Sequence, residues 1–246
     1  MSTLIRDYER FAKEANEICK GRVYTDHLRR YAYGVDASCY SYLPKVVVKA
    51  EDEREVRRLI RLCQQCGTPF TFRAAGSSLS GQCSSEDVLI VCNDGFKKME
   101  VIDDGKALKC ECGVIGSDAN DLLKPYNRKI GPDPATLATA LVGGILNNNS
   151  SGMCCGTAQN SYKTIRSIRV VLLDGSILDT SDQKSIDQFL KEKPQMVEDI
   201  LQLRKDILAD EELTHLIHHK YKIKNTTGYG LNSLVDFEDI IDIINH

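Results

Sequence analysis

Apolar and polar residues alternate in recognisable periods along most of this chain, and the periods divide it into two mixed segments and a helical tail. The stretch from Leu4 to Cys19 has helical spacing, and a polar connection follows it, so residues 1–43 read as an N-terminal arm. After Pro44, Val46-Val47-Val48 is a short buried strand. Val56, Leu59, Ile60, Leu62 and Cys63 then recur at helical spacing between Glu51 and Cys66. Pro69 to Phe72 is again strand-like. Further strands are expected at 88–92, 99–102 and 107–112, the last two joined by a tight hairpin at Asp104-Gly105. This lobe, 44–127, mixes crossover and hairpin connections, which argues for an α+β fold over a doubly wound sheet.

The second lobe, 128–246, is expected to follow a helix over 115–126 and to open on the turn Gly131-Pro132-Asp133-Pro134. Ile165–Leu173 and Ser176–Thr180 flank Asp174-Gly175, a dipeptide suited to the positive φ angles of a type I′ hairpin turn. Residues 183–224 form a charged helical insertion, and 225–231 a polar loop.

Composition narrows the class. The chain has 246 residues, 42% of them hydrophobic and 27% charged, enough to build one large core or two small ones. A net charge of −3 supplies no basic field for a phosphate backbone, so nucleic acid is excluded as a partner. No run approaches the roughly 20 apolar residues of a bilayer span, and the charged N-terminus does not resemble a secretory signal. The chain therefore reads as cytoplasmic. Ten cysteines lie between Cys19 and Cys155. They read mainly as small buried hydrophobes, including the Cys63/Cys66 C-x-x-C, which sits late in a helix with no second pair at finger spacing. Cys154-Cys155 lies in a glycine-bearing loop, where a place near a ligand is more plausible. No metal site is expected.

Two loops carry the candidate chemistry. In Gly76–Gln82, GSSLSGQ, glycine lets the main chain approach a ligand, and Ser77, Ser78 and Ser80 add donors. Gln82 stands where a nucleotide-binding P-loop needs lysine, and no G-x-G-x-x-G is present. An anion-binding loop and a plain surface turn both fit. In Thr139–Gly156, TALVGGILNNNSSGMCCG, the Gly143-Gly144 pair costs a helix about 1 kcal/mol per glycine. Either a ligand approaches closely there, or two helices pack tightly.

The string FRAAGSSLSGQ (72–82), then GPDPATLATALVGGILNNNSSGMCCG (131–156) and IRSIRVVLLDGSILDT (165–180), resembles the flavin-binding domain of the vanillyl-alcohol oxidase and p-cresol methylhydroxylase superfamily. Within it, the likeness is to FAD-linked D-2-hydroxyacid dehydrogenases of the D-lactate, glycolate and D-2-hydroxyglutarate type. It runs over roughly residues 35–246.

The resemblance implies a two-lobed α+β domain with FAD between the lobes. Arg73, Ala74, Ala75, Gly76, Ser77, Ser78, Leu79, Ser80, Gly81 and Gln82 would wrap the pyrophosphate, with Ser77 where the family usually has threonine. Pro132, Asp133 and Pro134 would line the cofactor. Gly143, Gly144, Asn147, Asn148, Ser151 and Gly152 would meet its pyrophosphate, ribityl or ring region, and Ile168 its adenine end. Members with covalent FAD commonly carry a histidine near the first loop; Ala74 and Ala75 stand here, so the cofactor is expected without a covalent bond.

In this family the segment equivalent to Lys224–Leu231 leads into a further glycine-rich element and a cap domain with the substrate site, and in some bacterial forms into an iron–sulfur region. This chain ends at His246, so a missing cap is expected. His215, His218 and His219 read as a solvated helix face, His27 as surface and His246 as terminal, so no catalytic residue is assigned. The implied reaction is hydride transfer from a D-2-hydroxy acid to FAD. A non-catalytic FAD-binding electron-transfer module and the flavin subunit of another oxidoreductase are the alternatives.

Overall fold

The computed structural model describes residues 6–224 and 230–246. Two compact units make up the chain: residues 1–130 with 136–144 and 173–176, and residues 131–135, 145–172 and 177–246.

The first unit is built on a four-stranded sheet. Helix α1 (Tyr8–Ile18) is followed by strand β1 (Val23–Tyr24), α2 (His27–Tyr33), β2 (Val46–Lys49), α3 (Glu53–Cys66), β3 (Phe70–Arg73) and β4 (Val88–Val91). The order across the sheet is β1-β2-β4-β3. β4 lies between β2 and β3 and runs parallel to both, while β1 is antiparallel to β2. This central place explains the unbroken apolar run Val88-Leu89-Ile90-Val91: both faces of the strand are covered, so no position alternates toward water, and all four residues are 0% exposed.

α3 begins where Asp52 accepts the Glu55 N–H at 2.8 Å and ends at Gly67, whose φ of +64° closes the last turn. Its buried stripe is Val56, Leu59, Ile60, Leu62, Cys63 and Cys66, the helical spacing read from the sequence. α1 contributes Phe11 and Ala15 to the core, and the Asp7 N–H donates to the Cys66 carbonyl at 3.0 Å. The described helix begins at Tyr8 rather than at Leu4, which lies outside the described residues.

β5 (Met99–Ile102) and β6 (Ala107–Cys110) form the expected antiparallel hairpin. Its loop is four residues long and turns through Asp103, Asp104 and Gly105, all at positive φ. α4 (Gly116–Leu123) runs into a single 3-10 turn, Lys124–Tyr126, where Pro125 ends the α-helical pattern. Val114, Ala119 and Val142 close a small core against Met99, Leu108, Cys110 and Ile130. α5 (Val142–Asn147) starts in this unit and ends in the other.

The turn Leu173–Ser176 belongs to the first unit, where side chains of α3 hold it: Arg57 Nε donates to the Gly175 carbonyl and Gln64 Nε2 to the Leu173 carbonyl, each at 2.7 Å. The type I′ expectation fails here. Only Gly175 is left-handed, and Asp174 instead accepts from the N–H and hydroxyl of Ser176, so the connection is longer than two residues.

The second unit holds α6 (Ser161–Thr164), the short hairpin β7 (Arg169–Val171) and β8 (Ile177–Asp179), and then α7 (Gln183–Glu192), α8 (Pro194–Ala209), α9 (Glu211–Lys220), α10 (Ser233–Asp236) and α11 (Ile240–Asn245). The charged helical stretch is thus three helices, with Asp182 and Asp210 accepting N–H groups at the starts of α7 and α9 and Pro194 opening α8. Ile207, Ile217, Leu234 and Ile243 form its core, packed by Ile200, Tyr221, Val235 and Phe237. α10 and α11 have no counterpart in the sequence reading. Of the polar loop expected at 225–231, only Gly230 and Leu231 are among the described residues. No helix among the described residues is long and apolar enough to cross a membrane.

Candidate functional site

β3 delivers the first candidate loop. Arg73 closes the strand, its carbonyl accepting the Cys92 N–H at 2.9 Å, and the chain then leaves the sheet. Gly76 and Gly81 sit at φ +75° and +73°, conformations that side-chain-bearing residues rarely adopt. Among the described residues, no group accepts from the backbone N–H of Ala74, Ala75, Gly76, Ser77 or Leu79. Five main-chain donors thus lie within six residues. One buried atom, Arg73 Nη1, also has no partner. The other terminal nitrogen, Nη2, donates to the Val35 carbonyl at 2.8 Å, and the guanidinium lies 6.0 Å from the Tyr33 ring centre. A Cβ on Gly76 would fall 2.1 Å from Nη2. Leu79 and Ser80 are exposed at the tip, where the Ser78 hydroxyl accepts the Ser80 N–H.

The second loop reaches the first within the same unit. Val142 and Gly143 donate their N–H groups to the Val114 and Cys112 carbonyls, which carries the chain across to α5. The two glycines then differ. A Cβ on Gly143 would lie 2.8 Å from Cys112 Cβ and 3.1 Å from its carbonyl oxygen, so packing forbids a side chain there. At Gly144 the nearest atom is Ala74 Cβ at 3.6 Å, an ordinary contact. The protein itself therefore accounts for Gly143 and leaves Gly144 unexplained, while bringing Gly144 against the start of the first loop.

In the second unit, Asp133 organises the remaining candidates. Its carboxylate accepts the N–H groups of Gly152 at 2.8 Å and of Cys154 and Cys155 at 3.1 Å. The Cys155 thiol and these three N–H groups hold its carboxyl well below the usual carboxylate range. Gly152 is glycine because a Cβ would meet the Asp133 carbonyl oxygen at 1.9 Å. Ser151 is buried, whereas Asn147 is exposed and Asn148 half-buried. Asn149, at φ +43°, was not among the expected site residues; its Oδ1 accepts the Tyr162 N–H at 3.1 Å, tying the loop to α6. Pro132 is buried and Pro134 half-buried. Ile168 exchanges hydrogen bonds with Thr180, donating to its hydroxyl at 2.8 Å and accepting its N–H at 2.9 Å.

The cysteines are all free thiols. Cys19, Cys63, Cys66 and Cys155 are buried as expected, but Cys39, Cys112 and Cys154 are exposed. Cys112 lies just past the end of β6 and Cys154 on the Asp133-bound turn, where no strand pairing carries them inward. Burial pushes the Cys63 thiol up to about 12, which removes the C-x-x-C from thiolate chemistry at neutral pH. His27, His215, His218 and His219 are exposed, and among the described residues no cluster could hold a metal ion.

A glycine-bearing strand exit whose main-chain donors have no partner among the described residues, faced by a second glycine with open space beside it, is a geometry that can receive an anionic ligand. Residues 44–181 match the family model for the FAD binding domain, and the chain belongs to that family. It is similar to D-2-hydroxyglutarate dehydrogenase of Haemophilus influenzae, 24% identical over 172 residues, which are 68% of this chain and 17% of that protein. It is also similar to the glycolate oxidase subunit GlcD of Bacillus subtilis, 26% identical over 164 residues, 64% of this chain and 34% of the relative. Its fold is that of p-cresol methylhydroxylase, with a TM-score of 0.59 at 16% identity over 70% of this chain and 35% of that one. Alkyldihydroxyacetonephosphate synthase aligns at 0.60 and 19% identity, over 73% and 37%. The α+β flavin-binding architecture is thereby established. The chain matches only about a sixth of the length of the D-2-hydroxyglutarate dehydrogenase.

Proposed function

We propose that this chain is the FAD-binding portion of an oxidoreductase that oxidises a D-2-hydroxy acid, and that it holds FAD without a covalent bond. The observation that carries the reading is the donor set of the first loop: five N–H groups without partners among the described residues, on a backbone kept open by Gly76, beside Arg73 Nη1, which has none there either. Hydrogen bonds to a charged acceptor contribute about 1.5–3 kcal/mol each. A diphosphate can satisfy several at once, so the donor set fits the cofactor that the family binds.

The residues present divide the work. The Arg73–Gln82 loop would hold the diphosphate, and Gly144 would leave room for the cofactor beside Ala74. Asp133 would fix the Gly152–Cys155 turn through its backbone, and Pro132, Pro134, Asn147, Asn148, Ser151 and Ile168 would line the cofactor as the family pattern implies. FAD, when bound, supplies the acceptor for the two electrons and proton of a hydride. We assign proton abstraction and substrate recognition to no residue of this chain: His27, His215, His218 and His219 are exposed, and His246 Nδ1 lies 2.7 Å from the Tyr162 carbonyl oxygen. The relatives of the hydroxyacid type, which extend well beyond the matched stretch, support that assignment.

The test is a titration of the purified chain with FAD, followed by visible absorption. Saturable binding, with all flavin released into the supernatant on denaturation, is the expected outcome; pelleted flavin would refute the non-covalent assignment. Replacing Gly76 by valine should abolish binding. If wild type and Gly76→Val bind alike, the loop is not the diphosphate site. The substrate class is tested separately in protein joining this chain to its substrate-binding portion: D-lactate, glycolate and D-2-hydroxyglutarate are offered without oxygen. Bleaching by none of the three would remove the hydroxyacid reading.

A further inference from the structure

Residues 34–43 lie just ahead of the stretch that the family model matches, yet they touch the candidate diphosphate loop at three points. The Val35 carbonyl accepts from Arg73 Nη2 at 2.8 Å. An Asp36 carboxylate oxygen lies 3.4 Å from the Cys83 thiol, just beyond the loop's end. The Tyr40 ring covers Gly81, where an added Cβ would come within 2.8 Å of it.

The segment is itself closed. The Tyr42 N–H donates to the Gly34 carbonyl at 2.9 Å, and Val35 and Ser41 form an antiparallel bridge. Asp36 accepts the N–H of Ser38 at 2.8 Å and its hydroxyl at 2.5 Å, and the Tyr40 and Tyr42 rings stack 6.3 Å apart. Gly34 is forced by this closure, since a Cβ there would fall 2.0 Å from the Tyr42 carbonyl oxygen.

We infer that residues 34–43 are a strap that holds the 73–83 loop in its ligand-ready shape, making Asp36 and Tyr40 positioning residues for FAD. This inference rests on the proposed diphosphate role of the loop. The loop spans two left-handed glycines and lacks internal main-chain bonds between Ala74 and Leu79, so it has little rigidity of its own. A loop ordered before binding loses less conformational entropy when the ligand arrives, and affinity rises accordingly. The strap supplies that order at both ends: Val35 through Arg73 at the strand exit, Asp36 and Tyr40 at the far side.

The experiment measures FAD and ADP affinity of the full chain by quenching of flavin fluorescence and by calorimetry, for wild type, Tyr40→Ala, Tyr40→Phe and Asp36→Ala. ADP presents a diphosphate without the flavin ring. Tyr40→Ala and Asp36→Ala are expected to weaken both ligands by about tenfold, by a matching factor for each, while Tyr40→Phe stays within twofold of wild type. The ligand-free melting temperatures should change by no more than a few degrees. Gly81→Ala gives a further arm: beyond the strain of its left-handed backbone its added Cβ meets the Tyr40 ring, so Tyr40→Ala should relieve that part, and the double variant should lose clearly less affinity than the product of the two single effects. Wild-type affinity in both alanine variants, or strict multiplicativity in the double variant, overturns the strap while leaving the loop's role intact. Absence of FAD binding by wild type overturns both.

Discussion

Gly144→Ala separates a cofactor requirement from a packing requirement. The substitution adds one methyl group within α5, where the nearest atom, Ala74 Cβ, lies at an ordinary contact distance of 3.6 Å. Nothing in the protein must move. Alanine is favoured over glycine in a helix interior by about 0.5–1 kcal/mol, partly because glycine loses more backbone entropy on folding. In a chain of this size such a gain shifts Tm by about 1–4 °C. The ligand-free variant should therefore melt at or slightly above the wild-type temperature. FAD affinity should fall in the same variant, by about tenfold or about 1.4 kcal/mol, because the methyl group occupies the space beside Ala74 that the cofactor is proposed to use. Gly143→Ala is the control: its Cβ would press on Cys112 at 2.8 Å, so it should lower Tm whether or not FAD is present. Differential scanning calorimetry of the ligand-free chains, paired with FAD titration, reads both quantities. A destabilised Gly144→Ala chain, or one that binds FAD as wild type does, would show that the glycine serves the fold and that the site lies elsewhere.

Other outcomes follow from the same geometry. Asp133→Asn should lower Tm by several degrees at pH 7, because an amide is a weaker acceptor for the N–H groups of Gly152, Cys154 and Cys155. A carboxylate depressed in the folded state contributes stability that is present above its unfolded pKa, near 3.9, and is lost as pH falls through the folded value; the wild-type advantage should thus be constant above about pH 5 and shrink under acid, as read by melts between pH 7 and pH 2. Leu89→Ala, at a wholly buried position in the central strand, should cost about 2–5 kcal/mol in urea unfolding. A thiol reagent applied to the native chain should find a fast phase from Cys39 and Cys154, a slower one from Cys112, whose thiol burial pushes up, and leave Cys19, Cys63, Cys66 and Cys155 until unfolding; a fast Cys63 would contradict its burial.

Where one physical cause dominates, the sequence pattern and the structure agree. α3 reads correctly because its apolar period, its Asp52 cap and the Gly67 stop all act on the same fourteen residues. β4 reads correctly because an uninterrupted Val-Leu-Ile-Val run has no polar side to offer water. The failures arise where distant residues decide. Asp174-Gly175 has the composition of a two-residue turn, but the side chains of Arg57 and Gln64, more than a hundred positions earlier, hold its backbone in a longer one. α10 and α11 are four and six residues long, too short for a period to show, and are held by the Ile207, Ile217, Leu234 and Ile243 core.

The candidate site divides in the same way. Glycine content marked both loops, but composition left each with two explanations, a ligand or a fold requirement. Geometry assigns those explanations residue by residue. Gly143 and Gly152 are glycines because Cys112 and Asp133 press on them, which is a property of the fold. Gly144 has open space beside it and is not explained by contacts the protein makes with itself, whereas Gly76 and Gly81 are pressed by Arg73 and Tyr40; what the fold leaves open in their loop is its main-chain donors, which have no acceptor among the described residues. Under the proposed function, a ligand that accepts bonds from the five N–H groups lacking partners among the described residues is what the loop's open backbone serves. That asymmetry between adjacent glycines could not be read from the string VGG, since it depends on which neighbour each α-carbon faces after folding.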